Sequence, residues 1–337
     1  MSLKRIDKLK AWMKEKNIET LFVDDPVDLR YLTGLTFSLG RLLVSSKITA
    51  LFVDGRYIDI ARAKAPCEAH LAAELTKHLS PRMEVAFDSA FISYDGFLEL
   101  QKTYPEQIFV PVSKPLKTLR VIKDPEEINA LKKAARLTRE GYQHIVGLLK
   151  EGVTEEELSL EFAIYCRRHG ASGLSFEPII AFGANSAYPH HRAGKERLKK
   201  NQIVLFDLGA IVDGYAGDMT RVQFFGKPEA QLLKDYELIQ EVQKKVIAHV
   251  APNVRFGELD LIARQRLDAS LFTHGLSHGI GLDVHEYPRL KVTRGDNDLL
   301  LQVGMAFTVE PGIYRKGLGG VRYEDVVVVT EDGSETL

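Results

Sequence analysis

Cysteine is scarce in this sequence, since Cys67 and Cys166 are the only two and they lie far apart. This usage excludes the disulfide framework of a small secreted domain and favours a reducing compartment, the cytoplasm. Runs of like charge are also missing and the net charge is -1 at pH 7, so neither a nucleic-acid partner nor a membrane surface is predicted. No stretch reaches the roughly 18 apolar residues of a membrane span.

Length and composition are those of a globular protein with two domains. The chain has 337 residues, of which 45% are hydrophobic and 27% are charged, and one domain commonly holds about 100 to 200 residues. Helix-like and strand-like runs alternate through residues 1 to about 112, which predicts a small α/β domain at residues 1–120. A segment rich in Pro and Lys follows at 111–124 and marks the boundary, so residues 121–337 are predicted to form the second domain.

The second domain begins with strong helix signals. Asp124 can cap a helix whose third residue, Glu127, reaches back to it, and Thr154 with Glu157 repeats this pattern before the next helix. The buried face of the first helix is predicted to consist of Ile128, Leu131, Ala135, Thr138, Tyr142 and Ile145. Two further helices are predicted at 229–250 and 256–271, and strands occupy most of the remainder.

Four carboxylates of this domain interrupt apolar, strand-like runs. Asp207 ends the run 203–206 and Asp218 follows a turn, while Glu310 and Glu324 sit within later runs of the same kind. Carboxylates are costly to bury unless a cation compensates them, so their placement indicates a metal site. For the two aspartates a solvated hairpin remains the alternative, because Asp beside Gly is common in turns.

The charge of this group indicates which metals it would hold. Four carboxylates neutralise two divalent ions, and one of the histidines in the segment LSHGIGLDVHEYPR would add a nitrogen ligand. An oxygen-rich set with one histidine suits Mn²⁺, and less selectively Co²⁺, Fe²⁺ or Zn²⁺, while the histidine argues against a plain Ca²⁺ site.

These motifs carry a resemblance to a known family. DLGAIVDGYAGDMTR, SHGIGLDVH, TVEPGIY and VRYED, in this order, resemble the metal-binding motifs of methionine aminopeptidase, aminopeptidase P and prolidase. The resemblance implies a two-domain α+β / α/β protein, in which residues 121–337 form a pita-bread metallopeptidase domain with pseudo-twofold αα-ββ halves. Residues 1–120 resemble the creatinase-type N-terminal domain of the Xaa-Pro branch, which typical methionine aminopeptidases lack.

Carried over position by position, the resemblance implies five metal ligands: Asp207, Asp218, His278, Glu310 and Glu324. Glu310 would also act as the general base and then the general acid. His285 would hydrogen-bond the scissile carbonyl, and His190 matches the other active-site histidine near the substrate. Its neighbour His191, like His274, is assigned a structural role.

Arg289 is the residue that bears on substrate length. Four positions after His285, it could pair with the C-terminal carboxylate of a dipeptide, or it could be an ordinary surface arginine. In the first case a dipeptidase is favoured, whereas an open cleft beyond Arg289 would admit longer peptides.

The predicted function is that of a metallo-exopeptidase with two divalent metal ions that cleaves short peptides with proline in second position. The first expectation is a Xaa-Pro aminopeptidase of the aminopeptidase P type, and the alternative is a Xaa-Pro dipeptidase, or prolidase. Two remoter alternatives are an inactive relative that acts as a binding protein and a metal-free, creatinase-like amidine hydrolase, and the complete ligand set argues against both. The resemblance also implies a homodimer.

Overall fold

The structure is a computed structural model that describes residues 2–290 and 296–337. The chain divides into two compact units, Met1–Arg120 and Val121–Leu337. Among the described residues, no helix combines the length and the apolar character that a membrane crossing requires.

The first unit is a six-stranded mixed sheet with short helices. Its helices are α1 (Ser2–Glu15), α2 (Pro26–Thr33), α3 (Ile58–Lys64), α4 (Tyr94–Thr103) and α5 (Lys117–Arg120), with a 3-10 helix at Ala72–His78. Its strands are β1 (Thr20–Val23), β2 (Arg41–Ser45), β3 (Thr49–Val53), β4 (Glu68–Leu71), β5 (Glu84–Asp88) and β6 (Ile108–Val112). The strand order is β4-β3-β2-β1-β5-β6. A mixed sheet with short helices is the small α/β arrangement that the sequence predicts.

The second unit contains two pairs of helices, each followed by strands. The helices are α6 (Pro125–Val146), α7 (Glu155–Arg168), α8 (Ala230–His249) and α9 (Phe256–Arg264), with a 3-10 helix at Gly183–Ala187. The strands after the first pair are β7 (Gly173–Leu174), β8 (Ile179–Phe182), β9 (Gln202–Leu208), β10 (Ala210–Val212), β11 (Tyr215–Ala216) and β12 (Met219–Phe225). Those after the second pair are β13 (His278–Gly279), β14 (Glu286–Arg289), β15 (Ala306–Val309), β16 (Gly312–Arg315), β17 (Gly319–Arg322), β18 (Asp325–Thr330) and β19 (Gly333–Thr336).

Antiparallel sheets form the centre of the second unit. Strands β12, β9 and β8 make one sheet, and β14, β13, β15, β18 and β19 make another, in these orders. A large apolar cluster lies between α8 and α9 on one side and the strands on the other, with Val242, Phe256 and Phe307 among its buried members. The sheets thus place polar residues at strand ends on a rigid apolar base.

The helix caps form as the sequence predicts. The Asp124 carboxylate accepts hydrogen bonds from the backbone N–H groups of residues 126 and 127, while the Glu127 side chain accepts from Asp124. Thr154 and Glu157 make the same reciprocal pair before α7. Both of these reciprocal capping pairs depend on residues three positions apart, so they can be recognised from the sequence alone.

The predicted buried face of α6 is partly wrong. Leu131, Thr138 and Ile145 are buried as expected, but the structure also buries Ala130, Ala134, Leu137 and Gly141, while Ile128, Ala135 and Tyr142 are only partly buried. The reason is that α6 packs against α7 and also against β10 and β11, so a wider stripe is covered. A Cβ atom at Gly141 would lie 2.7 Å from Cε2 of Phe162, which shows how closely α6 and α7 approach.

Helix α9 is shorter than predicted, because it ends at Arg264 and not near residue 271. The Asp268 carboxylate accepts hydrogen bonds from the backbone N–H and the hydroxyl of Ser270, at 2.8 and 2.7 Å. Such local side-chain bonds compete with helix continuation and favour a turn.

Candidate metal centre

Strands β9 and β12 bring the two aspartates onto one face of their sheet. Asp207 of β9 lies opposite Thr220 of β12, and Asp218 precedes Thr220 by two residues, so all three side chains project from the same side. The intervening hairpin turns at Asp213 and Gly214, which have φ angles of 51° and 87°. Asp213 is therefore a turn residue, and the two aspartates do not lie on a solvated outer face.

The second sheet contributes the other acidic residues and a histidine. His278 begins β13, Glu310 directly follows β15, and Glu324 directly precedes β18. Strands β15 and β18 pair with Val309 opposite Asp325, which holds the two glutamates at the same end of the sheet. A bridge between Thr220 and Glu324 then joins this end to β12.

Three of the predicted ligands converge closely. One ligand atom from each of Asp218, His278 and Glu324 lies within 4.8 Å of the other two, and all three residues are buried. Glu310 is adjacent, since its Oε1 lies 3.6 Å from Nε2 of His278, the same distance that separates Nε2 from Oδ2 of Asp218.

Asp207 is the remaining predicted ligand, and its charge acts on Asp218 and Glu324. Its Oδ2 accepts a hydrogen bond from the guanidinium of Arg322, while its Oδ1 is buried and has no hydrogen-bond partner. A buried carboxylate oxygen without a donor is costly unless a cation contacts it. The four carboxylates and one histidine therefore fit divalent metal ions, in their charge as well as in their donor atoms.

The electrostatics of the buried carboxylates also fit a site for divalent cations. Burial raises the pKa of Asp218 and of Glu310 well above the usual range, and the charge of Glu324 raises both further. Burial, with the nearby Asp207, raises the pKa of Glu324 to about 7. Burial also raises the pKa of Asp207, against the opposing effect of Arg322. In the absence of cations these carboxyls hold protons more readily than free carboxyls do, so metal ions and protons compete for the same site.

His278 has the protonation state that a metal ligand needs. Burial, and then the neighbouring His285, lower the pKa of His278 to about 3, so its imidazole is neutral at neutral pH. Its Nδ1 bonds the carbonyl of Gly279 at 3.1 Å and therefore carries the proton. The lone pair on Nε2 is left facing Asp218 and Glu310.

The other two predicted histidines lie around the cluster. The His285 ring is 4.4 Å from the His278 ring, and partial burial, with the nearby Arg289 guanidinium, lowers the pKa of His285. His190 is exposed, and it is near enough to the cluster for its imidazolium form to lower the pKa values of Asp207, His274 and His285.

Arg289 lies beside His285 at the rim of this site. Its side chain is exposed, and Nη2 donates to the backbone carbonyl of His285 at 3.0 Å. Its backbone N–H donates to the carboxylate of Asp296 at 2.9 Å. The guanidinium is thus held next to a predicted substrate-binding histidine.

Sequence reasoning missed Arg322, a buried residue that organises one side of the cluster. Besides Asp207, it donates to the hydroxyls of Thr220 and Tyr314, each at 2.9 Å. The sequence did contain a signal for this residue. An arginine two residues before Glu324 interrupts an apolar strand, and a charge in such a place needs an acidic partner.

His274 is closer to the site than its assigned structural role requires. Its Nε2 accepts a hydrogen bond from the Tyr314 hydroxyl at 2.9 Å, and its Nδ1 lies 3.9 Å from Oε2 of Glu310. Burial, with the nearby Arg322, lowers the pKa of His274 to about 3. A neutral imidazole therefore borders the carboxylate cluster.

Comparison with known families places both units. Residues 129–331 match the model of metallopeptidase family M24, and residues 5–122 match the creatinase/prolidase N-terminal domain. The M24 match covers more than half of the chain and includes every residue of the cluster described above.

Similar proteins extend over nearly the whole chain. A Xaa-Pro dipeptidase of Pyrococcus furiosus is 31% identical over 344 residues, which cover 99% of this chain and 97% of the relative. The structure of a Xaa-Pro dipeptidase from Bacillus anthracis matches with a TM-score of 0.93 and 31% identity, over 100% of this chain and 97% of that one. An X-Pro aminopeptidase from Thermotoga maritima matches with a TM-score of 0.88 and 26% identity, over 98% and 97%.

Proposed function

The chain belongs to metallopeptidase family M24, and from this premise we propose that it is a Xaa-Pro dipeptidase, which hydrolyses the bond between an N-terminal residue and a C-terminal proline. The resemblance, the two-domain pita-bread architecture and the class of metallo-exopeptidase are all confirmed by the family and structure matches. Aminopeptidase P was the first expectation, but the named dipeptidases among the relatives support its alternative better.

One structural observation carries the proposal: Arg289 stands beside His285 at the rim of the buried ligand cluster. An exposed guanidinium can form two parallel hydrogen bonds to a carboxylate, and the free carboxylate of a dipeptide lies one residue beyond the scissile bond. We propose that Arg289 binds this group. A longer peptide would present a neutral amide there and lose the charged contact.

Asp207, Asp218, His278, Glu310 and Glu324 would hold the metal ions. The chemistry that divalent ions held there would supply is a bound water that ionises near neutral pH and polarisation of the substrate carbonyl. We propose two ions, because four carboxylates balance their charge, and Mn²⁺ before Co²⁺, Fe²⁺ or Zn²⁺ because oxygen ligands predominate.

The chain's own groups then handle the protons. Glu310 accepts the proton of the attacking water at a carboxylate oxygen and returns it to the leaving imide nitrogen of proline. His285 is neutral, because its pKa is lowered, and it can donate an N–H to the carbonyl oxygen as negative charge develops there. His190 is exposed, its imidazolium form acts on the Asp207 carboxyl, and it is proposed to bind the substrate.

The proposal is tested by offering Ala-Pro and Ala-Pro-Ala to the Mn²⁺-loaded protein, with Asp218→Ala as the inactive control. Strong cleavage of the dipeptide with little of the tripeptide is the expected result. Good cleavage of the tripeptide would establish the second candidate, aminopeptidase P, which the full-length match to the Thermotoga maritima X-Pro aminopeptidase favours. Cleavage of neither peptide would refute both and favour a binding protein.

We further propose that residues 1–120 are the creatinase-type domain and residues 121–337 the catalytic domain. A homodimer is also proposed, and sedimentation would refute it if the active enzyme were a monomer. The cytoplasm is proposed as the location because Cys67 and Cys166 are both free thiols.

A further inference from the structure

Glu155 is a buried carboxylate outside the metal cluster. It is the first residue of α7, and its relative exposure is 0%. The helix N-terminus favours a negative charge there, but a carboxylate still has to be hydrogen-bonded to be buried at tolerable cost. The groups that donate hydrogen bonds to Glu155 therefore show which part of the chain it holds in place.

Both oxygens of Glu155 accept two hydrogen bonds each. Oε1 accepts from the backbone N–H of Phe182 at 2.8 Å and from the side-chain amide of Asn185 at 2.9 Å. Oε2 accepts from Nε2 of His191 at 2.8 Å and from the backbone N–H of Gly194 at 3.0 Å. All four donors come from one continuous segment, so a single side chain fastens residues 182–194.

The donors lie on both sides of His190 in the sequence. Phe182 and Asn185 precede it, whereas His191 and Gly194 follow it. Between them a tight turn runs from Tyr188 to His191, closed by a hydrogen bond of 3.0 Å from the backbone N–H of His191 to the carbonyl of Tyr188. The chain is therefore held before and after the turn that carries His190.

The two adjacent histidines consequently have opposite surroundings. The His191 side chain points to Glu155 and is mostly covered, with a relative exposure of 18%. His190 is exposed, and its imidazolium form acts on Asp207, His274 and His285, as described above. Because Glu155 holds the chain on both sides of the turn, it restricts where the backbone can place His190.

From this geometry we propose that Glu155 is a positioning residue for His190. The proposal rests on the proposed function, in which His190 contacts the substrate. Among the described residues, the hydrogen bonds of the Glu155 side chain go to the 182–194 segment and to none of the predicted metal ligands, so it acts by holding this segment in the place where His190 faces the site. It thus adds a determinant of activity on a helix that carries none of the predicted site residues.

A carboxylate is needed here and an amide would not replace it. Glutamine has one acceptor oxygen and one NH₂ group, so it can satisfy one pair of donors and turns a donor toward the other pair. Because misplacement of a substrate-binding group by about 1 Å can cost about 100-fold in rate, Glu155→Gln is expected to lower kcat/KM for Ala-Pro by about 10- to 100-fold.

The matched control is Glu157→Gln, the same chemical change in the same helical turn. Glu157 is exposed and bonds the backbone N–H of Thr154 at 2.8 Å, without contact to the 182–194 segment. We expect its kcat/KM to stay within about twofold of wild type, because it does not reach His190.

A double-mutant cycle separates positioning from general destabilisation. In a His190→Ala background, adding Glu155→Gln should lower kcat/KM by less than about twofold, because the side chain that Glu155 positions is already absent. Mn²⁺ affinity measured by calorimetry should be unchanged in Glu155→Gln. Equal losses in both backgrounds, an unchanged kcat/KM, or a matching loss of Mn²⁺ affinity would each overturn the proposal.

Amide hydrogen exchange provides a readout that does not depend on activity. Exchange at Phe182 or Gly194 should accelerate in Glu155→Gln and not in Glu157→Gln, and unchanged exchange at both amides would refute the positioning role. If the wild-type protein cleaved no Xaa-Pro peptide, the proposed function would fail, and the exchange rates alone would then decide whether Glu155 fastens the segment.

Discussion

Thr220 donates its hydroxyl to Oε2 of Glu324 at 2.6 Å, which links β12 to the end of β18 beside the carboxylate cluster. The same hydroxyl oxygen accepts a hydrogen bond from Nε of Arg322 at 2.9 Å. One buried side chain therefore orients a predicted metal ligand and the arginine that contacts Asp207. Partners of this kind tune how tightly ligands hold a metal.

Thr220→Val keeps the shape of the side chain but removes both hydrogen bonds. We expect Mn²⁺ affinity to fall by about 10-fold or more, because Glu324 loses its orienting donor. Calorimetric titration of the metal-free protein measures this. Thr336→Val, at an exposed position of β19, is the matched control, and wild-type affinity in a folded Thr220→Val protein would contradict the role described here.

Asp218→Asn is expected to act in opposite directions with and without metal. The metal-free protein should unfold at the same or a higher temperature, because burial and the charges of Glu324, Asp207 and Glu310 all disfavour the Asp218 carboxylate. The rise in melting temperature that Mn²⁺ gives to the wild type should be lost. Thermal unfolding in chelator and in Mn²⁺ measures both effects.

Asp213→Asn is the control for that experiment, since it changes an exposed aspartate of the same hairpin. Its melting temperatures should follow those of the wild type under both conditions. A metal-free Asp218→Asn protein that melts well below the wild type would show that the carboxylate stabilises the fold by itself.

Asp28 of the first unit provides a test of pH dependence. Burial raises its pKa from 3.8 to about 6, although Nη1 of Arg120 donates to it at 2.8 Å. Because the folded pKa is the higher one, the protonated form favours folding, and this contribution is complete below about pH 4 and lost as the pH rises through 6.

We therefore expect the wild type to lose stability relative to Asp28→Asn between about pH 4 and pH 6, with no further change above. Each pH unit between the unfolded pKa of 3.8 and the folded pKa of about 6 changes the free energy of unfolding by about 1.4 kcal/mol. The loss relative to Asp28→Asn is therefore about 3 kcal/mol. Urea unfolding of both proteins at several pH values measures it. A difference that stayed constant across this range would refute the assignment.

Arg289→Gln tests whether the guanidinium binds the dipeptide carboxylate. KM for Ala-Pro should rise by about 10- to 100-fold. This factor corresponds to the loss of about 1.5–3 kcal/mol, which is typical of a hydrogen bond to a charged group. The KM for Ala-Pro-Ala should change little, because its carboxylate lies one residue further away. Arg168→Gln, an exposed arginine at the end of α7, serves as the control. Equal effects on both peptides would argue for an ordinary surface arginine.

Gly141→Ala should destabilise the second unit. The new Cβ would lie 2.7 Å from the Phe162 ring, and overpacking of this kind costs about 1–3 kcal/mol. Alanine gains about 1 kcal/mol in helix propensity, so the net loss should be about 1 kcal/mol. Chemical unfolding measures this, and Gly55→Ala, where a Cβ meets no atom within 4 Å, is the control. An increase in stability would show that the two helices separate easily.

Local signals explain why much of the fold was predictable. The caps at Asp124 and Thr154 depend on residues three positions away, and the main strands follow from alternating or apolar runs. Helix α9 is shorter than its apolar pattern predicts, and beyond its end the Asp268 side chain forms a local turn with Ser270. Substrate length was also beyond the sequence, since it depends on what surrounds Arg289 in space.

The sequence by itself determined which carboxylates interrupt apolar runs, because such a pattern can be recognised locally, and the family resemblance added His278 to the predicted ligand set. Only the tertiary structure decided that Arg322 contacts Asp207 and that Glu155 binds His191, the neighbour of His190. These contacts join residues far apart in the chain. Which side chains meet is set by how the strands and helices pack, and no local pattern records that packing.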